Sequence, residues 1–286
     1  MAVDISNNVH TDLSNKVYIK SPDPTTSLIF FVILTTLYMF GKYSTIKVGE
    51  YSEICNYDKT IFNTNNTLIL TGGYILLLVI GNYFINLNVT KKICGNVQWK
   101  NTFLATLTPW VLIFGSINLL LIRYSGWLSP FSNTLGYLVA KMSGLNKTVD
   151  NILVSEKEAV SLGRPIYKIV EDIYSDKSLL INEIPKDTFC EFVYNMEMAK
   201  LFKEGRDSKD LVNLFNFILL KDIVAEYIWY MLSGILVTSV SYNYILNSSC
   251  KKNVKDMERR HDDYVAKKIA QHQNPKKERV YTLDEM

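Results

Sequence analysis

Apolar residues run in blocks along this chain. The first block, Thr25 to about Tyr43, carries no charge until Lys42, and Pro22 and Pro24 stand just before it, where a helix start tolerates proline. The second, Thr67–Leu87, is uncharged throughout; Gly73 and Gly81 fall eight residues apart on it, so that small residues admit a neighbouring helix. The third, Thr102–Ile122, contains Pro109, which a membrane helix accommodates as a kink. Trp99 and Lys100 precede it and Arg123 and Tyr124 follow it, the aromatic and basic residues that anchor a span at its two interfaces. The fourth, Ile223–Leu246, has Glu226 in its first turn, where a carboxylate at the span edge faces water or a partner. Crossing about 30 Å of hydrocarbon takes roughly 20 residues of helix, and each block is of that order. A further apolar run, Leu211–Leu220, is too short to span by itself. It reads as a surface helix that continues or bends into the fourth span past Lys221 and Asp222, with Asp207 or Ser208 capping its start.

Between the third and fourth spans lies an insertion from Arg123 to Asp222. Its opening piece, Gly126–Leu145, places Phe131, Leu135, Leu138, Val139 and Met142 on one helical face, with Trp127 and Leu128 ahead of it. A segment this apolar directly after a span predicts a helix lying along the membrane surface or packed back on the bundle. Ser132, Asn133 and Thr134 are placed to satisfy the free N–H groups of its first turn, and Gly136 and Gly144 to let a neighbouring helix approach. Farther on, Ile166, Ile169, Val170, Ile173 and Tyr174 share a helical face, as do Phe189, Phe192, Val193 and Met196. No stretch alternates with period two long enough to suggest a sheet. The tail after Asn247 carries ten Lys or Arg and reads as a charged helix ended by Asn274-Pro275; Lys251, Lys252, Lys255, Arg259 and Arg260 form a cluster suited to lipid headgroups.

Charge and composition remove several function classes. A net charge of +3 over 286 residues, with acids interleaved among the bases, gives no nucleic-acid footprint. The three histidines are His10, His261 and His272, so no histidine base is available within the insertion, and neither a P-loop nor a dinucleotide-binding glycine pattern occurs. The paired acids Glu156/Glu158 and Glu171/Asp172 sit among lysines as solvated helix faces. Asn82, Asn86, Asn118 and Glu226 are too sparse for a catalytic set within the spans. Cys55, Cys94, Cys190 and Cys250 lack metal-site spacing and read as four free or incidental thiols. No cofactor, metal or small-molecule substrate is therefore expected, and no enzyme activity.

The stretch Trp127-Leu-Ser-Pro-Phe-Ser-Asn-Thr-Leu-Gly-Tyr137 resembles a short signature in membrane proteins of nucleo-cytoplasmic large DNA viruses. The resemblance covers about 20 of the 286 residues. It implies a virion protein of the internal lipid membrane, a minor capsid component beneath the icosahedral shell, without cofactors.

The chain is thus expected to be an all-α integral membrane protein with four transmembrane helices and a helical extramembrane domain between the third and fourth. The divisions are a polar segment 1–24, three spans within 25–122, a membrane-surface domain 123–222, the fourth span 223–246 and a charged tail 247–286. The expected function is structural, linking the virion inner membrane to the capsid shell, with the bilayer and other capsid proteins or a second copy as partners. Trp127, Phe131, Leu135, Leu138 and Met142 are the expected contact residues at the membrane surface, and Phe131 and Leu135 its anchors. The rival reading is a small transporter or channel, which would mark its path by intramembrane charge or broken helices. Basic residues on the side of both termini favour cytoplasmic ends.

Overall fold

The computed structural model describes residues 24–55, 65–184, 186–205, 207–248, 250 and 254–273. Four helices in it are long and apolar enough to cross a membrane: α1 (Thr25–Ile46), α3 (Asn65–Cys94), α4 (Trp99–Arg123) and α11 (Ser208–Asn247). The single turn α2 (Tyr51–Ile54) follows α1. The four long helices form a ring in which α1 packs on α3 and α11, and α4 closes the other side against the same two. Pro109 does not break α4. It ends the regular α-helix, and the chain relaxes into a π-helical stretch, Trp110–Gly115, before resuming as Ser116–Arg123, the local adjustment by which a helix absorbs a missing N–H.

The insertion is a string of helices, one of them interrupted by a second π-helical stretch. After a 3₁₀ turn at Ser125–Leu128 comes α5 over residues 129–142, then α6 (Leu145–Ile152), α7 (Glu156–Ser161), α8 (Arg164–Ser175), α9 (Ser178–Ile181) and α10 (Phe189–Met198). An isolated antiparallel bridge between Leu153 and Phe202 joins the chain after α6 to the chain after α10, with Val154 N–H donating to Leu201 O at 3.0 Å and Lys203 N–H to Ile152 O at 2.8 Å. No other strand pairing occurs among the described residues. The tail helix α12 spans Val254–Gln273.

The apolar run 211–220 and the fourth block form one helix. At 40 residues α11 is about 60 Å long, roughly twice the hydrocarbon thickness of a bilayer. Its two halves are buried differently. In the first, Leu211, Val212, Leu214, Phe215, Asn216, Ile218, Leu219, Lys221 and Ile223 are covered on nearly every side by the insertion and the segment after α1. In the second, burial narrows to the stripe Tyr230, Ser233, Gly234, Val237, Thr238, Ser241 and Ile245, and Leu232, Leu236 and Tyr244 point outward more than half exposed. The cap of this helix is Asp207, whose side chain accepts from Lys209 N–H at 2.9 Å.

Two findings correct the sequence reading of the insertion and of the second span. The hydroxyls and amide of Ser132, Asn133 and Thr134 cap nothing: Ser132 Oγ donates to Asp222 Oδ1, Asn133 Oδ1 accepts from Lys221 Nζ, and Thr134 Oγ1 donates to Pro130 O. Gly144 and Gly73 meet no neighbour. Gly144 serves the turn before α6 by its φ of 109°, whereas Gly136 and Gly81 are the positions of close approach.

Candidate functional site: the platform on helix α11 and the polar seam of the bundle

The insertion is fixed to α11 by the pair that interrupts its apolar pattern. Lys221 is 3% exposed and spends its three donors on Asn182 Oδ1 at 2.7 Å, Ile181 O at 3.2 Å and Asn133 Oδ1 at 3.3 Å. The next residue, Asp222, accepts from Ser132 Oγ at 3.0 Å and from Lys186 Nζ at 3.0 Å. A buried ammonium and its neighbouring carboxylate therefore bind three parts of the insertion to one turn of helix, each charge satisfied as burial demands. One turn earlier, Asn216 binds the segment after α1: its amide accepts from Val48 N–H at 3.0 Å and donates to Val48 O at 2.9 Å, standing in for a backbone partner.

On this frame α5 lies with its narrow side inward. Ser132, Gly136 and Ala140 face α11, and a Cβ at Gly136 would fall 2.6 Å from Lys221 O, so that only glycine permits the approach. The opposite side presents Leu135, Leu138, Val139 and Met142, with Met142 80% exposed. Phe131 departs from this expected outer face. Its ring meets Trp229 of α11 edge-on at 5.3 Å, while Trp127 lies against the same indole at 5.9 Å and accepts from Trp229 Nε1 at 2.9 Å through its backbone carbonyl. The expected contact residues thus divide: Trp127 and Phe131 hold α5 to the bundle through Trp229, and Leu135, Leu138 and Met142 form the outward surface. Trp229 was not singled out in the sequence. Its place less than two turns inside a predicted span was the available signal. In the tail, Arg259 is exposed on α12, Lys255 and Arg260 belong to that helix, and Lys251 and Lys252 lie outside the described residues.

A seam of polar side chains runs through the bundle. Ser27 donates to Asn82, Thr35 meets Tyr74 OH at 3.0 Å, and Tyr38 OH meets Thr71 at 3.0 Å, all between α1 and α3. Asn86 donates to Thr106 at 2.8 Å and Thr90 meets Thr102 at 2.9 Å between α3 and α4. Tyr230 donates to Asn118 between α11 and α4. In the middle the rings of Tyr38 and Tyr74 stack at 4.1 Å, with Tyr230 parallel to both at 6.2 Å and Phe114 edge-on to Tyr230 at 5.0 Å. Glu226 faces neither water nor an external partner. Lys42 Nζ lies 2.6 Å from both of its carboxylate oxygens, and the two side chains are 19% and 15% exposed. Asn82, Asn86, Asn118 and Glu226 are each bound to a different neighbour and do not converge on a common point.

All four cysteines are paired, which overturns their reading as free thiols. Cys55, just past α2, is bonded to Cys190 in the first turn of α10, and Cys94, the last residue of α3, to Cys250 just past α11. The signal lay in parity. Given four spans, two cysteines fall on each side of the bundle, one pair with the insertion and one with the tail.

Among the described residues no three His, Cys, Asp or Glu side chains are grouped to hold a metal ion. A shallow depression near the tail end of the bundle is lined by Tyr83, Trp99, Lys100, Phe103 and Leu104. It gathers aromatic rings, with Tyr83 edge-on to Phe103 at 5.9 Å and 6.5 Å from Trp99. The chain matches no family model, no curated protein sequence and no solved structure.

Proposed function

We propose that this chain is an integral membrane protein with a structural role, carrying a rigid platform on one face of the bilayer, and that its membrane is the internal membrane of a virion, where the platform joins lipid to the capsid shell. Membrane insertion rests on the outer surface of the four long helices. Ile33, Leu37 and Phe40 on α1, Leu76 and Phe84 on α3, and Val111, Leu112 and Leu119 on α4 are all more than half exposed, a surface far larger than water tolerates on a monomer. Two aromatic groups bound it, Tyr83, Trp99 and Phe103 at one end and Trp127, Phe131 and Trp229 at the other. The helix between them, Trp99–Arg123, has 25 residues and is therefore about 37 Å long, which suits girdles at the two interfaces.

The structural role rests on one observation above the others. α5 is locked on its inner side by the Gly136–Lys221 contact while Leu135, Leu138 and Met142 stand outward and uncovered. A fixed helix with an unpaired apolar face is built for contact. Within the bundle the polar groups are bound to one another, as interhelical hydrogen bonds that hold spans together are. The virion setting rests on the resemblance of Trp127–Tyr137.

The test uses the outward residues, which the bundle does not need. Leu138→Asp combined with Met142→Asp should leave the protein in the pellet after alkaline carbonate extraction, because the spans decide insertion. Incorporation into purified particles should fall at least tenfold. Incorporation equal to that of the parent would refute the platform, and release by carbonate from the parent itself would refute membrane insertion.

A further inference from the structure

We infer that this protein is the substrate of two separate thiol-oxidation reactions, one on each side of its membrane, so that one of its disulfides is made by an oxidant acting on the cytosolic face. The inference rests on the four-span reading. Cys55 and Cys190 belong to the loop after the first span and to the insertion after the third, hence to one face. Cys94 and Cys250 end the second and fourth spans, hence the other. Each pair is well seated, with Cα atoms 5.6 Å and 5.4 Å apart. Between the two faces runs α3, whose described apolar part Ile69–Cys94 is about 39 Å long at 26 residues. No movement of a loop carries a cysteine across that distance of hydrocarbon.

A membrane of the secretory route separates an oxidising lumen from a cytosol whose thiols are kept reduced. One pair therefore closes in the lumen by the ordinary route, and the other faces a compartment that opposes closure. With cytoplasmic termini that second pair is Cys94–Cys250. Its closure removes two electrons and two protons. The thiolate of one cysteine attacks the disulfide of an oxidised protein oxidoreductase, forming a mixed disulfide and releasing one thiol of that partner. The thiolate of the other cysteine then attacks the chain's sulfur in the mixed disulfide, forming the Cys94–Cys250 bond, and the oxidoreductase departs as a dithiol holding both electrons. The co-reactant is thus a thiol oxidase working in the cytosol.

Two measurements on the full chain test this. In the first, sealed microsomes with the cytosolic side outward are reduced with dithiothreitol and tagged by a membrane-impermeant polyethylene-glycol maleimide. Two tags are expected, absent from the Cys94→Ser/Cys250→Ser variant, and four after detergent. Two tags on Cys55 and Cys190 would carry the same conclusion with the faces exchanged. No tags or four tags before detergent would overturn it; in the four-tag case carbonate extraction then shows whether membrane insertion failed with it. In the second, acid-quenched cells are blocked with a small maleimide, reduced and tagged. Only the lumenal pair should be protected in ordinary cells, and all four cysteines once a flavin-dependent thiol oxidase is expressed in the cytosol. Four protected cysteines without the oxidase, or two with it, would show that no cytosolic oxidation is required or that none occurs.

Discussion

The ring of Phe31 fills the space that a side chain at Gly234 would occupy. The preceding residue does the same on another helix, where the ring of Phe30 fills the space over Gly81. Two consecutive phenylalanines on α1 thus key the helix into α11 and α3, and their register fixes the rotation of all three.

Phe31 is fully buried and 5.8 Å from the ring of Trp110, so it has no room to withdraw. Gly234→Ala should therefore destabilise the bundle by about 1–3 kcal/mol, the usual cost of overpacking. Phe31→Leu in the same chain should recover part of that loss. Unfolding in mixed micelles with increasing sodium dodecyl sulfate measures both, and additive effects would mean that the two residues do not share this contact.

Lys42 and Glu226 illustrate the cost of parting a buried pair. Lys42→Met or Glu226→Gln alone should each lower stability by about 3–5 kcal/mol, because one uncompensated charge or its unmet partner remains inside the bundle. The double substitution should cost clearly less than either single change. The same unfolding assay reads it as a double-mutant cycle, and a double variant no better than the worse single one would count against the pairing.

Asn216 holds Val48 by both halves of a peptide group. Asn216→Ala leaves a buried N–H and C=O without partners, at about 1–3 kcal/mol, and the effect is local. Faster amide exchange at Val48 and Gly49, with α11 unchanged, is the expected result in detergent-solubilised protein. Unchanged exchange at Val48 would mean the clamp is idle.

How much of this was legible follows from the range of the forces involved. The four long helices announce themselves because each is specified by its own residues. The continuity of α11 was legible only as one of two alternatives, continuing or bending, because Lys221 and Asp222 look like an interruption. A charged pair breaks an apolar stripe without breaking a helix, provided partners arrive from elsewhere, and Asn133, Asn182, Ser132 and Lys186 come from the insertion. Gly81 and Gly136 were readable as points of approach, but Gly73 and Gly144 carried the same signal and meet nothing. Glycine marks permission, and the neighbour decides whether it is used. The outward face of α5 was visible in its spacing, whereas the inward turn of Phe131 depended on Trp229, almost a hundred residues away.

At the start of α7, Ser155 and Glu158 form a reciprocal cap. Glu158 N–H donates to Ser155 Oγ at 3.3 Å, and Ser155 N–H donates to Glu158 Oε2 at 2.9 Å. The hydrogen bonds from Ser155 hold the Glu158 carboxyl below its ordinary value. A carboxylate lowered in the folded state contributes stability that is present above its unfolded pKa and is lost as pH falls through the folded one. Amide protection of residues 156–161 should therefore weaken on acidification below the ordinary glutamate range. Glu158→Ala should show the weakened protection already at neutral pH, and a pH profile identical to the parent's would exclude the cap as its cause.

A helix that runs unbroken for 40 residues from the insertion through the bundle has no joint between the two. The 15 residues from Ser208 to Asp222 carry α11 about 22 Å beyond the proposed span. A tilt of the helix by about 10°, within the range that membrane spans adopt, swings its first turn sideways by about 4 Å. The outward face of α5 rides on the same lever, so in the proposed membrane setting a tilt of the bundle turns the platform with it.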